Sequence, residues 1–270
     1  MDWDPDFLDR SPMLAPLARE ARSLRALRDW PGREALQELL SERGVTNAAG
    51  MPLRLVAPSA GAESYEARIH ARGELQMREG EWHDLFNVLG WLAYPRSKAA
   101  LSERHNMPLQ REQMRDSAAA PHGRRGRVRD ALTLFDESGA IVASSGPDLL
   151  EDVRAFRWKR LFSEHRERVR REMRFRLFGH AVFEKALQPY LGVTAHAMLL
   201  PVDAGFLDES FERQTEALDE RIAAEIRRLA TPRSLAPLPV LGVPGWWDEN
   251  ESAAFYDNAA YFRPGRTRTV

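Results

Sequence analysis

Residues 81–105, EWHDLFNVLGWLAYPRSKAALSERH, decide how this chain is read. Apolar residues recur there at helical spacing, with Trp82, Leu85, Phe86, Leu89 and Leu92 on one face. The spacing predicts a helix over about 80–93 and another over 95–104. Pro95 suits the first turn of the second, where its missing N–H is not needed. His83, Asn87 and Tyr94 flank the apolar stripe on one side, and Asp84, Val88 and Trp91 on the other. Polar groups set among large aromatics must find partners or do chemistry, because burying them unpaired costs a few kcal/mol.

Working outward, residues 11–44 read as two amphipathic helices. The first, opened by Pro12, places Leu14, Leu17, Ala21, Leu24 and Leu27 at helical spacing and breaks at Trp30-Pro31-Gly32. The second runs from Arg33 to Arg43 and stops at Gly44. Residues 52–58 and 65–77 look extended, the latter as a hairpin turning at Arg72-Gly73. A long polar loop is expected over 105–127. Residues 130–135 alternate as a strand, with a turn at 136–139 and a return strand at 140–144. Helices are expected over 147–176, 179–189 and 208–229, and a strand over 194–201. Residues 232–270 form a proline- and aromatic-rich extended segment ending in a basic tail. The expectation is α+β: a mainly helical single domain over 1–270 with a small antiparallel sheet or hairpins.

Composition narrows the function classes. Hydrophobic residues make up 43% and charged residues 29%, the balance of a soluble globular protein. No apolar run reaches the roughly 18 residues of a membrane span, and the acidic start MDWDPDFLDRSP lacks the order of a secretory signal. The expected compartment is the cytoplasm. With no cysteine, thiolate chemistry and disulfides are excluded. The net charge of −1 argues against a general nucleic-acid binder. Three of the 39 basic residues are lysine (Lys98, Lys159, Lys185) and the rest arginine, a bias that a GC-rich genome also produces.

The strings WHDLFNVLGWLAYPRSKAALSERH (82–105), RDALTLFDESG (129–139), GHAVFEK (179–185), PLPVLGVPGW (237–246) and FYDNAAYFRPGR (255–266) occur in order over most of the chain. Together they resemble the bacterial domain-of-unknown-function family 3025. The resemblance implies a single cytosolic bacterial domain and carries no activity, cofactor or catalytic residue. Gly90 departs from the helix former expected there, at a cost of about 1 kcal/mol relative to alanine, and suggests close packing.

Four places can carry chemistry. His83 and Asn87 lie one helical turn apart and can converge, with Asp84 beside them, but the second histidine of a helical metal motif is missing. His180 and Glu184 sit at i, i+4 after Gly179, where a carboxylate can orient the ring or join it as a ligand, or simply stabilise the helix. Asp130 follows Arg129 at the expected strand's start, while Asp136 has a ready explanation as a turn residue. His105 and His122 bracket the polar loop, His105 at an expected helix end. Convergence of His83, His105, His180 and carboxylates would suit zinc, manganese or iron. Arginines 154–176 form either a solvated face or a surface for an anion or acidic partner.

Two readings follow. In one, a hydrolase uses His83 or His180 as general base or ligand of a divalent metal, Asp84 or Glu184 orients it, Asn87 and Asp130 complete the pocket, and Arg129 binds an anionic small molecule. In the other, the same residues form a buried network in a binding or scaffold protein whose arginine surface docks an acidic partner or nucleic acid. Signatures of P-loops, dinucleotide folds, nucleophile elbows and HExxH metalloproteases are absent.

Overall fold

The computed structural model describes residues 1–59, 64–113 and 122–265 and is α+β, mainly helical, as expected. Short 3-10 turns over Phe7–Arg10, Pro12–Leu17 and Arg22–Ala26 precede α1 (Arg33–Glu42), β1 (Arg54–Val56), α2 (Tyr65–Arg72), β2 (Glu74–Gln76), α3 (Trp82–Ala93), α4 (Pro95–Gln113), α5 (His122–Ser138) and β3 (Gly139–Ser144). Then come α6 (Pro147–Arg154), α7 (Arg166–Glu172), β4 (Met173–Leu177), α8 (His180–Ala186), β5 (Thr194–Pro201), α9 (Ala204–Asp208), α10 (Phe211–Ile226) and β6 (Ala236–Pro239).

The main sheet has the order β4-β3-β5-β6 and is mixed rather than purely antiparallel: β3 runs antiparallel to β4 and parallel to β5, which pairs antiparallel with β6. All six residues of β3, GAIVAS, are buried, as suits a central strand covered on both faces. A separate parallel pair joins β1 to β2. The buried apolar side chains form one contiguous core.

α3 is the helix the motif predicts, and every residue from Leu85 to Ala93 is buried. A helix apolar on all sides belongs inside a core. Trp82 anchors its first turn in an aromatic cluster, with ring centroids 5.4 Å from Trp3, 4.9 Å from Trp30 and 5.2 Å from Phe7. Gly90 does not serve close packing, since a Cβ built there meets nothing within 4 Å. Gly90→Ala should therefore raise the unfolding free energy by about 1 kcal/mol in a urea titration; a loss of stability would show that the space is not usable.

Several local expectations are corrected. Residues 12–27 bury Leu14, Leu17, Ala21 and Leu24 as foreseen, but in two 3-10 turns, in the first of which Pro16 denies the α ladder an N–H. Residues 65–72 are helix α2, capped by the Ser64 side chain and closed by Gly73 at φ 66°, so Arg72-Gly73 is a helix end and not a hairpin turn. The loop over 105–127 is mostly helix, with α4 running on to Gln113 and α5 starting at His122; Ala118–Ala120 lie outside the described residues. The strand expected over 130–135 is the second half of α5, and only the return strand, β3, exists. The helix expected over 147–176 breaks after α6, where Phe156 takes φ 57°, and its last four residues become part of β4.

In the C-terminal segment only β6 is extended; 3-10 turns follow it, and Leu238, Val240, Leu241 and Tyr256 are buried in the core. Asn250, fully buried, donates from Nδ2 to the carbonyls of Leu241 (2.7 Å) and Val243 (2.8 Å) and holds its 3-10 turns together; residues 266–270 of the basic tail lie outside the described residues. The arginine-rich stretch is largely paired within the chain. Arg168 meets Asp148 and Glu172, Arg157 and Arg160 meet the buried Asp152, Arg166 meets Glu251, and Arg176 stacks on Phe211. Among the described residues no helix is long and apolar enough to cross a membrane.

Candidate metal centre

Two glycines bring the site together. Gly139 joins α5 to β3, and Gly179 joins β4 to α8. The N–H groups of Phe178 and Gly179 donate to the Gly139 carbonyl at 2.9 and 3.0 Å. A Cβ on Gly179 would lie 2.4 Å from the Glu137 carbonyl carbon and oxygen, and one on Gly139 would lie 2.2 Å from the Phe135 carbonyl oxygen. Only bare backbone fits at this crossing. It sets the last turn of α5, carrying Asp136 and Glu137, against the first residue of α8, His180. α3 packs alongside α8 and supplies His83.

The ligand atoms of His83, Glu137 and His180 all lie within 4.8 Å of one another. Glu137 Oε2 is 3.3 Å from His180 Nε2 and 4.0 Å from His83 Nε2. A tetrahedral ion with bonds near 2.1 Å needs ligand atoms roughly 3.4 Å apart, so small rotations of the side chains would seat one. The two rings meet edge to face with centroids 4.5 Å apart. Each ring's other nitrogen faces a second carboxylate: His83 Nδ1 is 3.1 Å from Glu184 Oε2, and His180 Nδ1 is 3.7 Å from Asp136 Oδ2. A ligating histidine is commonly oriented in this way, by a carboxylate on its distal nitrogen. His180 is buried, whereas the side chains of His83 and Glu137 are 33% and 40% exposed, so the cluster is open to solvent on one side.

Behind His180 the network continues into the core. Lys98 Nζ, its side chain 4% exposed, donates to Asp136 Oδ1 (2.5 Å) and Asn87 Oδ1 (2.8 Å). Asn87 Nδ2 donates to the Tyr65 hydroxyl at 2.6 Å. Lys98 is placed by the start of α4, where the Asp219 carboxylate accepts from the backbone N–H groups of Arg96 (3.0 Å) and Ser97 (2.8 Å). Burial pushes the Asp136 carboxyl up, but Lys98 and His180 outweigh it and hold the group below the usual range. The Glu137 carboxyl is held down by its contact with His180. Glu66 of α2, desolvated and repelled by Asp136, is pushed up to about 7, and burial lowers His105 to about 4, which leaves that ring neutral.

The sequence-selected residues divide. His83, His180 and Glu184 converge from α3 and α8, and Asn87 joins them through Lys98 and Asp136. Asp84 faces elsewhere: its carboxylate accepts from the N–H, Nε and Nη2 of Arg78 at 2.7, 3.0 and 2.9 Å, and these bonds overcome burial to hold it low. Arg129 and Asp130 sit exposed on α5, about two turns (roughly 10 Å) before Asp136 and Glu137. His105 lies in the polar interior near Asp136 and Lys98 and is not in the triad. Asp136, Glu137 and Lys98 escaped the sequence reading. The sequence offers Asp136 as a turn residue, whereas in the structure it lies in the last turn of α5 and faces Lys98.

No curated protein and no solved structure matches this chain. The model of one family, described as "Protein of unknown function (DUF3025)", matches residues 53–266, a span that holds every residue of the cluster. The motif resemblance and the match agree, and the chain belongs to that family of unknown function.

Proposed function

We propose that this protein is a metal-dependent hydrolase of an anionic small molecule. One observation carries the reading: His83 and His180 both turn Nε2 toward Glu137 Oε2 while a carboxylate faces each Nδ1. Charge supports it. Asp136, Glu137 and Glu184 bring three carboxylates against one ammonium, Lys98, and a divalent ion balances the remaining two negative charges. His83, His180 and Glu137 would hold the ion, leaving room for further ligands on the solvent side, the pattern of a catalytic rather than a closed structural site. A bound ion would supply Lewis acidity, to acidify water and polarise the bond to be broken. Glu184 orients His83. Arg129, exposed on the same side of α5 as Asp136, adds positive charge for an anionic substrate.

Elemental analysis and calorimetric titration of the full chain with zinc and manganese test the reading. One equivalent per chain and a Tm that rises with added ion are expected. A protein that purifies metal-free, binds neither ion and melts unchanged in both would overturn it.

A further inference from the structure

Lys98 is an unusual residue to find inside this protein. Arginine supplies most of the cations, and a buried ammonium costs several kcal/mol unless it is fully paired. Its Nζ touches two oxygens, Asn87 Oδ1 and Asp136 Oδ1, and it lies 6.0 Å from the Trp91 ring centre. Lys98 therefore takes one oxygen of Asp136 and leaves Oδ2 toward His180 Nδ1 at 3.7 Å. That nitrogen is buried and makes no hydrogen bond, although His180 is only 6% exposed. A buried imidazole nitrogen without a partner is costly, and a carboxylate just beyond hydrogen-bond reach is its natural acceptor.

We infer that Lys98 and Asp136 are positioning residues that fix His180 as a metal ligand through Nε2. The inference rests on the metal reading above. Seating an ion at Nε2 requires the proton on Nδ1, and Asp136 Oδ2 accepts it once the ring settles. Lys98 is what makes Asp136 dependable. An ammonium only donates, so it captures one acceptor atom of residue 136 and dictates what the other side presents to His180. With a carboxylate there, the other side is also an acceptor. With an amide it is not: in Asp136→Asn, Lys98 claims the amide oxygen and turns the NH₂ toward His180 Nδ1. A donor then faces a donor, the ring favours its proton on Nε2, and the metal lone pair is lost.

The experiment is zinc titration of the full chain as wild type, Asp136→Asn and the double variant Lys98→Met/Asp136→Asn. Asp136→Asn should weaken zinc about 10- to 100-fold. Removing Lys98 frees the amide to rotate and offer its oxygen, so the double variant should bind zinc at least about tenfold more tightly than Asp136→Asn. A residue that only stabilised the fold would give the opposite order, with the double variant worse. Asp136→Asn binding like wild type, or a double variant no tighter than Asp136→Asn, overturns the positioning role and leaves the metal reading standing. Wild-type protein that binds no zinc removes both. Should Asp136→Asn fail to fold, imidazole ¹⁵N–¹H correlation spectra of the zinc-loaded wild type decide: an exchange-protected, downfield His180 Nδ1 proton supports the role, and zinc on Nδ1 or a freely exchanging Nδ1 proton overturns it.

Discussion

Gly179→Ala should lower the unfolding free energy by about 3 kcal/mol or more, at the upper end of overpacking effects. Its backbone, at φ −70° and ψ 135°, is open to any residue, so the penalty is steric rather than conformational. The added methyl would sit 2.4 Å from the Glu137 carbonyl and 2.5 Å from the Gly139 nitrogen, both main-chain atoms, beside the Gly139 carbonyl that accepts from the N–H groups of Phe178 and Gly179. A flexible side chain could swing aside, whereas this crossing cannot open without pulling α5 from α8. The same shift moves Glu137 away from His180, so zinc uptake should fail together with stability. Urea titration with and without zinc checks both. A variant within about 0.5 kcal/mol of wild type would mean that the junction is softer than its contacts imply.

The second large effect separates binding from folding. His83→Ala removes a proposed ligand whose side chain is one-third exposed, and its bond to Glu184, itself 45% exposed, contributes little to the fold. Metal-free stability should change by less than about 1 kcal/mol. The gain that wild type draws from zinc, about 2.7 kcal/mol at a free concentration 100 times Kd, should disappear. Differential scanning calorimetry in chelator and in zinc reads both quantities. Equal zinc stabilisation of wild type and His83→Ala would place the ion elsewhere.

Where the sequence could be read and where it could not has a physical pattern. α3 is legible because its apolar period is uninterrupted and Pro95 marks the next helix. α5 was misread because RDALTLFDE alternates over a short window, in which strand and helix templates both fit. Starting at Val128 instead, Val128, Ala131, Leu132 and Phe135 follow the i, i+3, i+4, i+7 rule, and the last three are buried. That one error hid two carboxylates of the candidate site: as a turn, residues 136–139 point outward, and as the end of a helix they bring Asp136 and Glu137 to His180. α2 escapes for a related reason: the Ser64 cap and the Gly73 stop bound a stretch of only eight residues, in which Arg72-Gly73 also reads as a hairpin turn. The meeting of His83 with Glu184 was beyond any local signal, because their hydrogen bond spans 101 residues.

That span has a consequence for how the protein comes into being. The three donors of the triad emerge from α3, α5 and α8 in turn, and no fragment that stops before His180 contains them all. Contacts this distant in sequence form only after the entropy of closing the intervening chain has been offset by other packing, here the β3–β4 pairing and the glycine crossing. During synthesis, a chain that has not yet released α8 offers an ion at most one histidine and one carboxylate of the set. Assembly of the triad is thereby deferred until about two-thirds of the chain has been made, and a nascent chain that stops short of α8 has no complete site to offer an ion.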